Sequence, residues 1–325
     1  KEEAKTFVYL NVSSTILKTI LIIGFVVFLK LESLGALYGI LLSDVIIFFV
    51  SLIILLKNIE FSFYFPSIKE VLGFEIPALP GIILINFGFI ADRFILDKFF
   101  NTTDIGIYAL SIKIASLILV LLTVFQLVII PFYVKIHEKV GGLKKINSIN
   151  KIAVNAFFLM ALFIILFIPE IGLLLGKNID SEIFIIISLI TTAYFFQVLL
   201  FIPNIQFFLS KKLIYTSFSI IIQITSFFGF SYLFIPNYGL YGIAFSFLLS
   251  NFIVLFINNY FGNKVFAFGN SNVILFSFLI IIFLVTILFF LKYVIEIGFM
   301  IFIIKSIFIG FFVFNFYKNF INILK

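Results

Sequence analysis

Two apolar segments between residues 81 and 115 carry charged side chains that could bind a ligand. The first ends with Asp92, Arg93, Asp97 and Lys98, and the second has Lys113 near its start. Ionisable side chains at membrane depth are energetically costly and normally face a protein interior or a water-filled cavity. Arginine presents a planar fork suited to carboxylate or phosphate oxygens, and lysine adds a point charge. We therefore predict that Arg93 and Lys113 line a cavity and bind anionic groups of a substrate.

The same charges also allow a purely structural interpretation. Arg93 and Asp97 are four residues apart and share a helix face, so Asp97 would partly neutralise Arg93. Asp92 points about 100° away on the same helix, where it would meet Lys113 of the next helix. A helix end held together by such ion pairs would need no ligand. Transport by Arg93 and Lys113 variants distinguishes the two interpretations.

Three further charges are expected inside apolar segments. Lys18 lies near the middle of the first segment and Asp44 near the middle of the second, which runs in the opposite direction. Because a pair is the cheapest way to bury two charges, we predict a contact between Lys18 and Asp44. That pair is either a structural bridge or contains, in Asp44, a proton or cation site for coupled transport. Lys305 is expected to snorkel to the membrane surface or to meet a lipid phosphate.

The composition places these charges in a membrane. The chain has 325 residues, of which 63% are hydrophobic and 11% charged, and no soluble fold could hide so much apolar surface. Crossing about 30 Å of hydrocarbon takes roughly 20 helical residues. Ten segments of suitable length predict an all-α integral membrane bundle: Phe7 to Leu29, Leu34 to Leu56, Pro77 to Leu96, Ile105 to Tyr133, Ile152 to Ile168, Ile183 to Phe208, Leu213 to Ile235, Gly239 to Phe261, Val273 to Leu291 and Ile297 to Tyr317.

The lysines predict how the bundle is oriented. With Lys1 in the cytoplasm, fourteen lysines fall on the cytoplasmic side and four on the opposite side. The positive-inside rule then places both ends of the chain in the cytoplasm. The net charge of +7 is accounted for by this topology, and a nucleic-acid partner is not expected.

Little in the sequence points to catalysis. The chain has no cysteine and a single histidine, His137, so we expect no metal site and no cofactor. A membrane-embedded polysaccharide polymerase or glycosyltransferase would need a large loop carrying acid and base residues, and the predicted loops are short. We therefore predict that the protein is not an enzyme.

For polar and helix-bending residues within the apolar segments we predict mainly structural roles. Five amide side chains could hydrogen-bond sugars, but amides also join membrane helices, and we expect the second role for each: Gln126, Asn155, Gln197, Gln206 and Gln223. Pro131 and Pro203 predict kinks. The tetrapeptide Leu-Tyr-Gly-Ile opens two segments, at residues 37–40 and 240–243. This repeat indicates either related lobes or glycines that simply pack closely.

Three neighbouring stretches carry a family resemblance. Residues 74–80 read FEIPALP, residues 91–96 read ADRFIL, and residues 105–114 read IGIYALSIKI. Together they resemble the middle of the polysaccharide, or O-antigen, flippases of the MATE-like (MOP) superfamily. In that family a Pro-rich entry, an acidic-basic helix end and a Gly-x-Tyr turn followed by Lys or Arg mark the seventh and eighth of commonly fourteen helices.

The resemblance implies a domain organisation. The ten segments would be helices five to fourteen of two six-helix lobes around a central cavity, with the first four helices missing before Lys1. Residues 1–56 would be the last two helices of the N-terminal lobe, and residues 57–76 a cytoplasmic linker with an interfacial helix. Residues 77–262 would form the C-terminal lobe, and residues 263–325 two additional helices.

The resemblance also implies a function. It predicts a multi-pass transporter in the bacterial cytoplasmic (inner) membrane that flips undecaprenyl-pyrophosphate-linked oligosaccharides by alternating access, for O-antigen, lipopolysaccharide or other surface polysaccharide assembly. Its partners would be the lipid-linked oligosaccharide, membrane lipid, H+ or Na+ for coupling, and a polysaccharide polymerase with its chain-length partner. The alternative is a cation-coupled drug or metabolite antiporter of the same superfamily. Acidic cavity residues should dominate in an antiporter, whereas basic residues are here at least as numerous.

Overall fold

A computed structural model of the chain describes residues 2–58, 72–73, 76, 79–176, 179–266 and 310. Contacts divide the chain into two compact units, residues 1–68 and residues 69–325. The division falls within the stretch expected to be the linker, residues 57–76. Most of that stretch, the two last predicted segments and Lys305 lie outside the described residues.

The first unit contains two long helices. Helix α1 spans Glu2–Ile23 and continues as a π-helical turn over Gly24–Phe28, and helix α2 spans Glu32–Asn58. The Leu29 N–H donates to the Gly24 carbonyl and closes the π turn. The chain then reverses, so that α1 and α2 pack against each other. Both helices are predominantly apolar, as two membrane-crossing segments should be.

The second unit contains eight further helices among the described residues. They are α3 (Leu79–Phe99), α4 (Thr102–Ala115), α5 (Leu117–Ile136), α6 (Gly142–Leu166), α7 (Ile168–Leu174), α8 (Ser181–Leu199), α9 (Phe201–Leu209) and α10 (Ile214–Val265). Helix α8 is almost completely buried and lies at the centre, where it contacts α4, α6 and α10 most extensively. The buried hydroxyls of Ser188, Thr191 and Thr192 donate to carbonyls of the same helix. The helix therefore presents no polar face that needs water, which suits this central position.

Six stretches of the described helices are long and apolar enough to cross a membrane. They are Tyr9–Phe28, Glu32–Ile54, Thr102–Ile136, Gly142–Leu166, Ser181–Leu209 and Ile214–Val265. Several predicted segments are longer in the structure. Helix α6, for example, begins at Gly142, ten residues before the predicted start, because its Lys-rich first turns remain helical beyond the apolar run. An apolar count identifies the part of a helix suited to hydrocarbon and not its polar extension.

The long helix α10 is a hairpin of two antiparallel limbs. At 52 residues a straight helix would be about 78 Å long, but the backbone breaks at Gly239, where φ is 53° and ψ is −130°. This conformation suits glycine, which lacks a Cβ. Tyr215 stacks on Phe261, and Phe234 meets Phe245 edge to face, so the limbs lie side by side. The prediction of two separate segments around a turn before Gly239 is confirmed.

Both copies of the repeated tetrapeptide place their glycine against a neighbouring helix. A Cβ on Gly39 would lie 2.8 Å from the Ile22 backbone nitrogen, and a Cβ on Gly242 would lie 2.6 Å from the Phe234 carbonyl oxygen. Each glycine thus allows the backbones to approach more closely than a side chain would permit. The predicted close packing of these two glycines is confirmed.

The two proline positions differ. Helices α8 and α9 are separated at Leu200. Pro203 is the third residue of α9, so this interruption lies three residues before the proline at which a kink is predicted. Helix α5 instead continues through Pro131 to Ile136.

Candidate functional site

The first pair of predicted charges meets within the first unit. Lys18 Nζ lies 2.9 Å from Asp44 Oδ1, which confirms the predicted contact. Lys18 is nine residues from one end of the apolar stretch Tyr9–Phe28 and ten from the other, or about 14 Å and 15 Å along the helix. The ion pair therefore lies near the middle of the stretch, where an unpaired charge is most costly. Whether the pair acts in coupling or in structure stays a prediction.

Arg93 and Asp97 do not form the expected ion pair. Both side chains are exposed on α3. Among the described side chains, ion pairs join Lys18 to Asp44 and His137 to Glu138, and none joins Arg93 to Asp97 within 4.0 Å. A spacing of four residues puts two side chains on one helix face, but their rotamers decide whether they meet. The expected Asp92 to Lys113 contact falls on a side chain outside the described set.

Lys113 lies on the exposed face of α4, two residues before that helix ends at Ala115. Its backbone carbonyl accepts a hydrogen bond from Ser116 Oγ at 2.9 Å. Ser116 separates α4 from α5 within the membrane-length stretch Thr102–Ile136. Its backbone stays in the right-handed helical region, with φ −69° and ψ −8°, so α5 continues from α4 with only a local irregularity. This irregularity was not predicted, because nothing in the apolar run from Ile105 to Tyr133 distinguishes Ser116.

The depth of the two cations follows from the turn that joins their helices. Phe100 and Asn101 connect α3 to α4, and the Asn101 side chain accepts the Asp104 N–H at 2.9 Å as an N-cap. Counted from this turn, Arg93 lies about 10 Å along α3 and Lys113 about 18 Å along α4. Half of the hydrocarbon core is about 15 Å thick, so the Lys113 backbone lies near mid-depth. There its ammonium group needs an aqueous or anionic partner.

Aromatic side chains hold the end of α3 that carries these charges. Lys98 Nζ lies 5.3 Å from the ring centroid of Tyr232 on α10 and 5.7 Å from that of Phe99. At the other end of α3, a Cβ on Gly81 would lie 2.9 Å from the Ser217 Cα. Helix α3 and the first limb of α10 therefore run parallel, and cation–π contacts place Lys98 near the end of that limb, before the break at Gly239.

A polar seam joins the two limbs of α10. Gln223 Nε2 donates to Asn251 Oδ1 at 2.9 Å, and Ser219 Oγ donates to Asn258 Oδ1. Gln206 of α9 similarly donates to Asn263 at 3.2 Å. The predicted structural role is therefore confirmed for Gln206 and Gln223. Asn251 and Asn258, the acceptors on the second limb, were not predicted from the sequence. These two asparagines are seven residues apart and so share a helix face, which could have indicated the seam.

The charges of Arg93 and Lys113 are suited to binding an anionic group and compensating its charge. Arg93 is the single arginine among the 22 basic residues, and both Arg93 and Lys113 lack an ion-pair partner among the described side chains. Two exposed cations on predominantly apolar helices can attract phosphate or carboxylate groups.

Comparison with known proteins supports the helical arrangement. One similar solved structure is described as "Crystal structure of MATE in the straight conformation" and another is a MATE point mutant. Their TM-scores are both 0.62, and their identities to this chain are 16% and 15%. Each alignment covers 79% of this chain and 61% of the MATE chain, so this chain spans about three fifths of those proteins. The predicted all-α, MATE-like membrane fold is confirmed.

The sequence itself identifies the family. A comparison with curated proteins found no match. Residues 2–184, more than half of the chain, match the family model described as "Polysaccharide biosynthesis protein". The matched region includes both helices of the first unit and the helices that carry Arg93 and Lys113. The chain is therefore a multi-pass membrane protein that belongs to the polysaccharide biosynthesis protein family.

Proposed function

We propose that this protein is part of a transporter that flips lipid-linked oligosaccharides across the bacterial cytoplasmic membrane by alternating access. The observation that carries the proposal is the exposed Lys113, whose position twelve residues after the Asn101 N-cap places its backbone near mid-depth. A cation at this depth needs an anionic or aqueous partner. The family supplies the context of polysaccharide biosynthesis, and a diphosphate-linked lipid supplies an anion attached to a membrane chain.

In this proposal the protein binds and moves its substrate without breaking a bond. Arg93 and Lys113 hold the diphosphate, Arg93 through its planar fork and Lys113 as a point charge. The sugars cross through a polar passage while the polyprenyl tail remains in lipid. Undecaprenyl pyrophosphate is the proposed carrier, and O-antigen or another surface polysaccharide is the proposed product.

A cation-coupled antiporter is the second candidate. The MATE-like fold and the carboxylate of Asp44 at mid-depth favour it, because a carboxylate there can bind a proton or Na+. In an antiporter the Lys18–Asp44 pair would open when the ion binds. Arg93 and Lys113 would then be dispensable for substrate recognition.

The decisive experiment uses the complete gene in a bacterium that lacks its own O-antigen flippase. Surface polysaccharide and lipid-linked repeat units retained in the inner leaflet are both measured. We expect the unaltered protein to restore surface polymer, and Arg93→Ala or Lys113→Ala to abolish it while membrane insertion is unchanged. Arg93→Lys should restore only part of the activity, because it keeps the charge but loses the fork.

The matched control is Lys212→Ala, which removes an exposed cation from the turn between α9 and α10. This variant should transport normally. Full transport by both Arg93→Ala and Lys113→Ala would refute the assignment of these residues. Failure of the well-expressed, unaltered protein with several compatible sugar donors would favour the antiporter, for which ion-dependent efflux is the test.

A further inference from the structure

A half-open groove runs between α5 and α6 on the second unit. Its volume is about 400 Å³, and all eight of its lining side chains are apolar. Leu121 and Phe125 form the α5 wall, and Ile152, Ala156 and Met160 lie on the α6 wall. A volume of this size falls within the roughly 300–1,000 Å³ typical of ligand pockets.

The floor of the groove is made of packed aromatic rings. Phe125 meets Phe157 of α6 edge to face at 5.8 Å between ring centroids, and it meets Phe201 of α9 at 5.6 Å. Phe157 is only 7% exposed, whereas Leu121 at the edge is 48% exposed. The groove is thus closed at its base and open along its length. Its lining offers a ligand no polar group, so the part of the ligand that enters it must be an apolar chain.

One end of the groove carries a positive charge. On α6, Lys145 precedes Ile149, Ile152, Ala156 and Met160 on a single stripe, at spacings of four, three, four and four residues. Lys145 Nζ lies 5.7 Å from the ring centroid of Phe132 on α5. The Lys145 side chain therefore reaches from α6 towards α5, at the end of the groove nearest the turn between the two helices.

The surroundings of Lys145 are strongly basic. Residues 135–151 contain five lysines and one carboxylate, and that carboxylate, Glu138, lies 3.5 Å from His137. The positive-inside prediction assigns this turn to the cytoplasmic surface. Basic clusters next to a membrane attract anionic lipid headgroups.

The two walls are fixed to each other at this end. Tyr133 on α5 donates a buried hydrogen bond of 2.7 Å to Asn150 Oδ1 on α6. At the turn, a Cβ on Gly142 would lie 1.9 Å from the Ile136 carbonyl oxygen, so only glycine allows this close approach. The groove and its cation are therefore preorganised, which reduces the cost of binding a ligand.

We propose that this groove binds an anionic membrane phospholipid, with one acyl chain between α5 and α6 and the phosphate against Lys145. An amphiphile with an anionic head and an apolar chain matches both features. The lining lacks the polar side chains that a sugar would need, so we assign the groove to a bulk lipid and not to a lipid-linked oligosaccharide. The proposal does not depend on the transported substrate.

The test is native mass spectrometry of the full chain in detergent, with phosphatidylglycerol or phosphatidylcholine of identical acyl chains. We expect preferential retention of phosphatidylglycerol. Lys145→Gln should weaken that binding about fivefold, the factor equivalent to about 1 kcal/mol per basic residue at a membrane surface. The control Lys144→Gln makes the same charge change about 100° around the helix and should have little effect.

A second variant tests the acyl-chain part of the site. Ala156→Phe fills the groove and should reduce retention of phosphatidylglycerol, whereas Val124→Phe, on an exposed α5 position outside the lining, should not. Equal losses for Lys145→Gln and Lys144→Gln would overturn the proposal by showing a general basic surface. So would equal binding of the two lipids, or unchanged binding by a folded Ala156→Phe protein.

Discussion

Breaking the ion pair between Lys18 and Asp44 should destabilise the first unit. Asp44→Asn removes the carboxylate whose oxygen lies 2.9 Å from Lys18 Nζ and leaves an ammonium group near mid-depth. A lysine at a helix centre costs about 2.5–3.5 kcal/mol on the membrane-insertion scale. When the helices separate in a micelle the lysine stays in an apolar medium, so the loss is the energy of the ion pair and not the full insertion cost. We therefore expect Asp44→Asn to lower the free energy of unfolding by about 0.5–3 kcal/mol, the range for interacting neighbours.

A double-mutant cycle isolates the pair from other effects of each substitution. Lys18→Met/Asp44→Asn removes both charges and should be more stable than Asp44→Asn, with a coupling energy of about 1–3 kcal/mol. The side chains are 36% and 57% exposed on the helix pair. If water rather than lipid reaches them, the coupling should fall to about 0–1 kcal/mol, as for surface ion pairs.

The assay is SDS-induced unfolding of the full chain in lipid–detergent micelles, followed by circular dichroism. Ion-dependent transport is measured on the same variants. A double variant less stable than Asp44→Asn would refute the reasoning, because removing the unpaired lysine should relieve its cost. Normal folding with loss of ion-dependent transport in Asp44→Asn would instead identify Asp44 as a coupling site.

Three further predictions concern packing within the second unit, and thermal unfolding in detergent is the measurement for all three. Tyr133→Phe removes the hydrogen bond to buried Asn150. The free energy of unfolding should fall by about 1–3 kcal/mol, because the amide oxygen loses its donor. An unchanged melting temperature would show that another donor replaces the hydroxyl. Gly242→Leu should be strongly destabilising, because its Cβ would lie 2.6 Å from the Phe234 carbonyl oxygen. The matched control is Gly229→Leu, which should be tolerated because a Cβ there meets nothing within 4 Å. Equal losses of stability in the two variants would refute the packing role of Gly242. Asn251→Leu removes the acceptor of the Gln223 hydrogen bond from the seam of α10. The free energy of unfolding should fall by about 0.6 kcal/mol, the average for an interhelical hydrogen bond in a membrane. A gain in stability would show that the seam serves function at the expense of stability.

Particular residues show where sequence reasoning succeeded. Lys18 and Asp44 could be paired because depth follows from counting residues along a helix at 1.5 Å each, and neighbouring helices joined by a short turn must be antiparallel. The hairpin within α10 was also predictable, because the turn around Gly239 interrupts an apolar run twice the length of one membrane crossing.

Other residues show where it failed. A spacing of four residues suggested that Asp97 neutralises Arg93, but the two side chains do not come within ion-pair distance. The local irregularity at Ser116, three residues after Lys113, was not predicted because no proline or glycine lies there. The groove between α5 and α6 was missed because its stripe of apolar residues looks like any lipid-facing surface.

The sequence by itself determined that the chain is a bundle of membrane helices, where most of the described apolar segments lie along the chain, and how far along its helix each charge lies. These properties depend on apolar length and on the fixed rise of a helix. The tertiary structure decided how each helix is rotated about its axis, and hence which face meets a neighbour. The hydrogen bond from Gln223 to Asn251 and the contact of Lys145 with the Phe132 ring therefore follow only from the folded structure. The physical reason is that a helix apolar on every side carries no polar face to orient it in lipid, so close packing and interhelical hydrogen bonds determine its orientation.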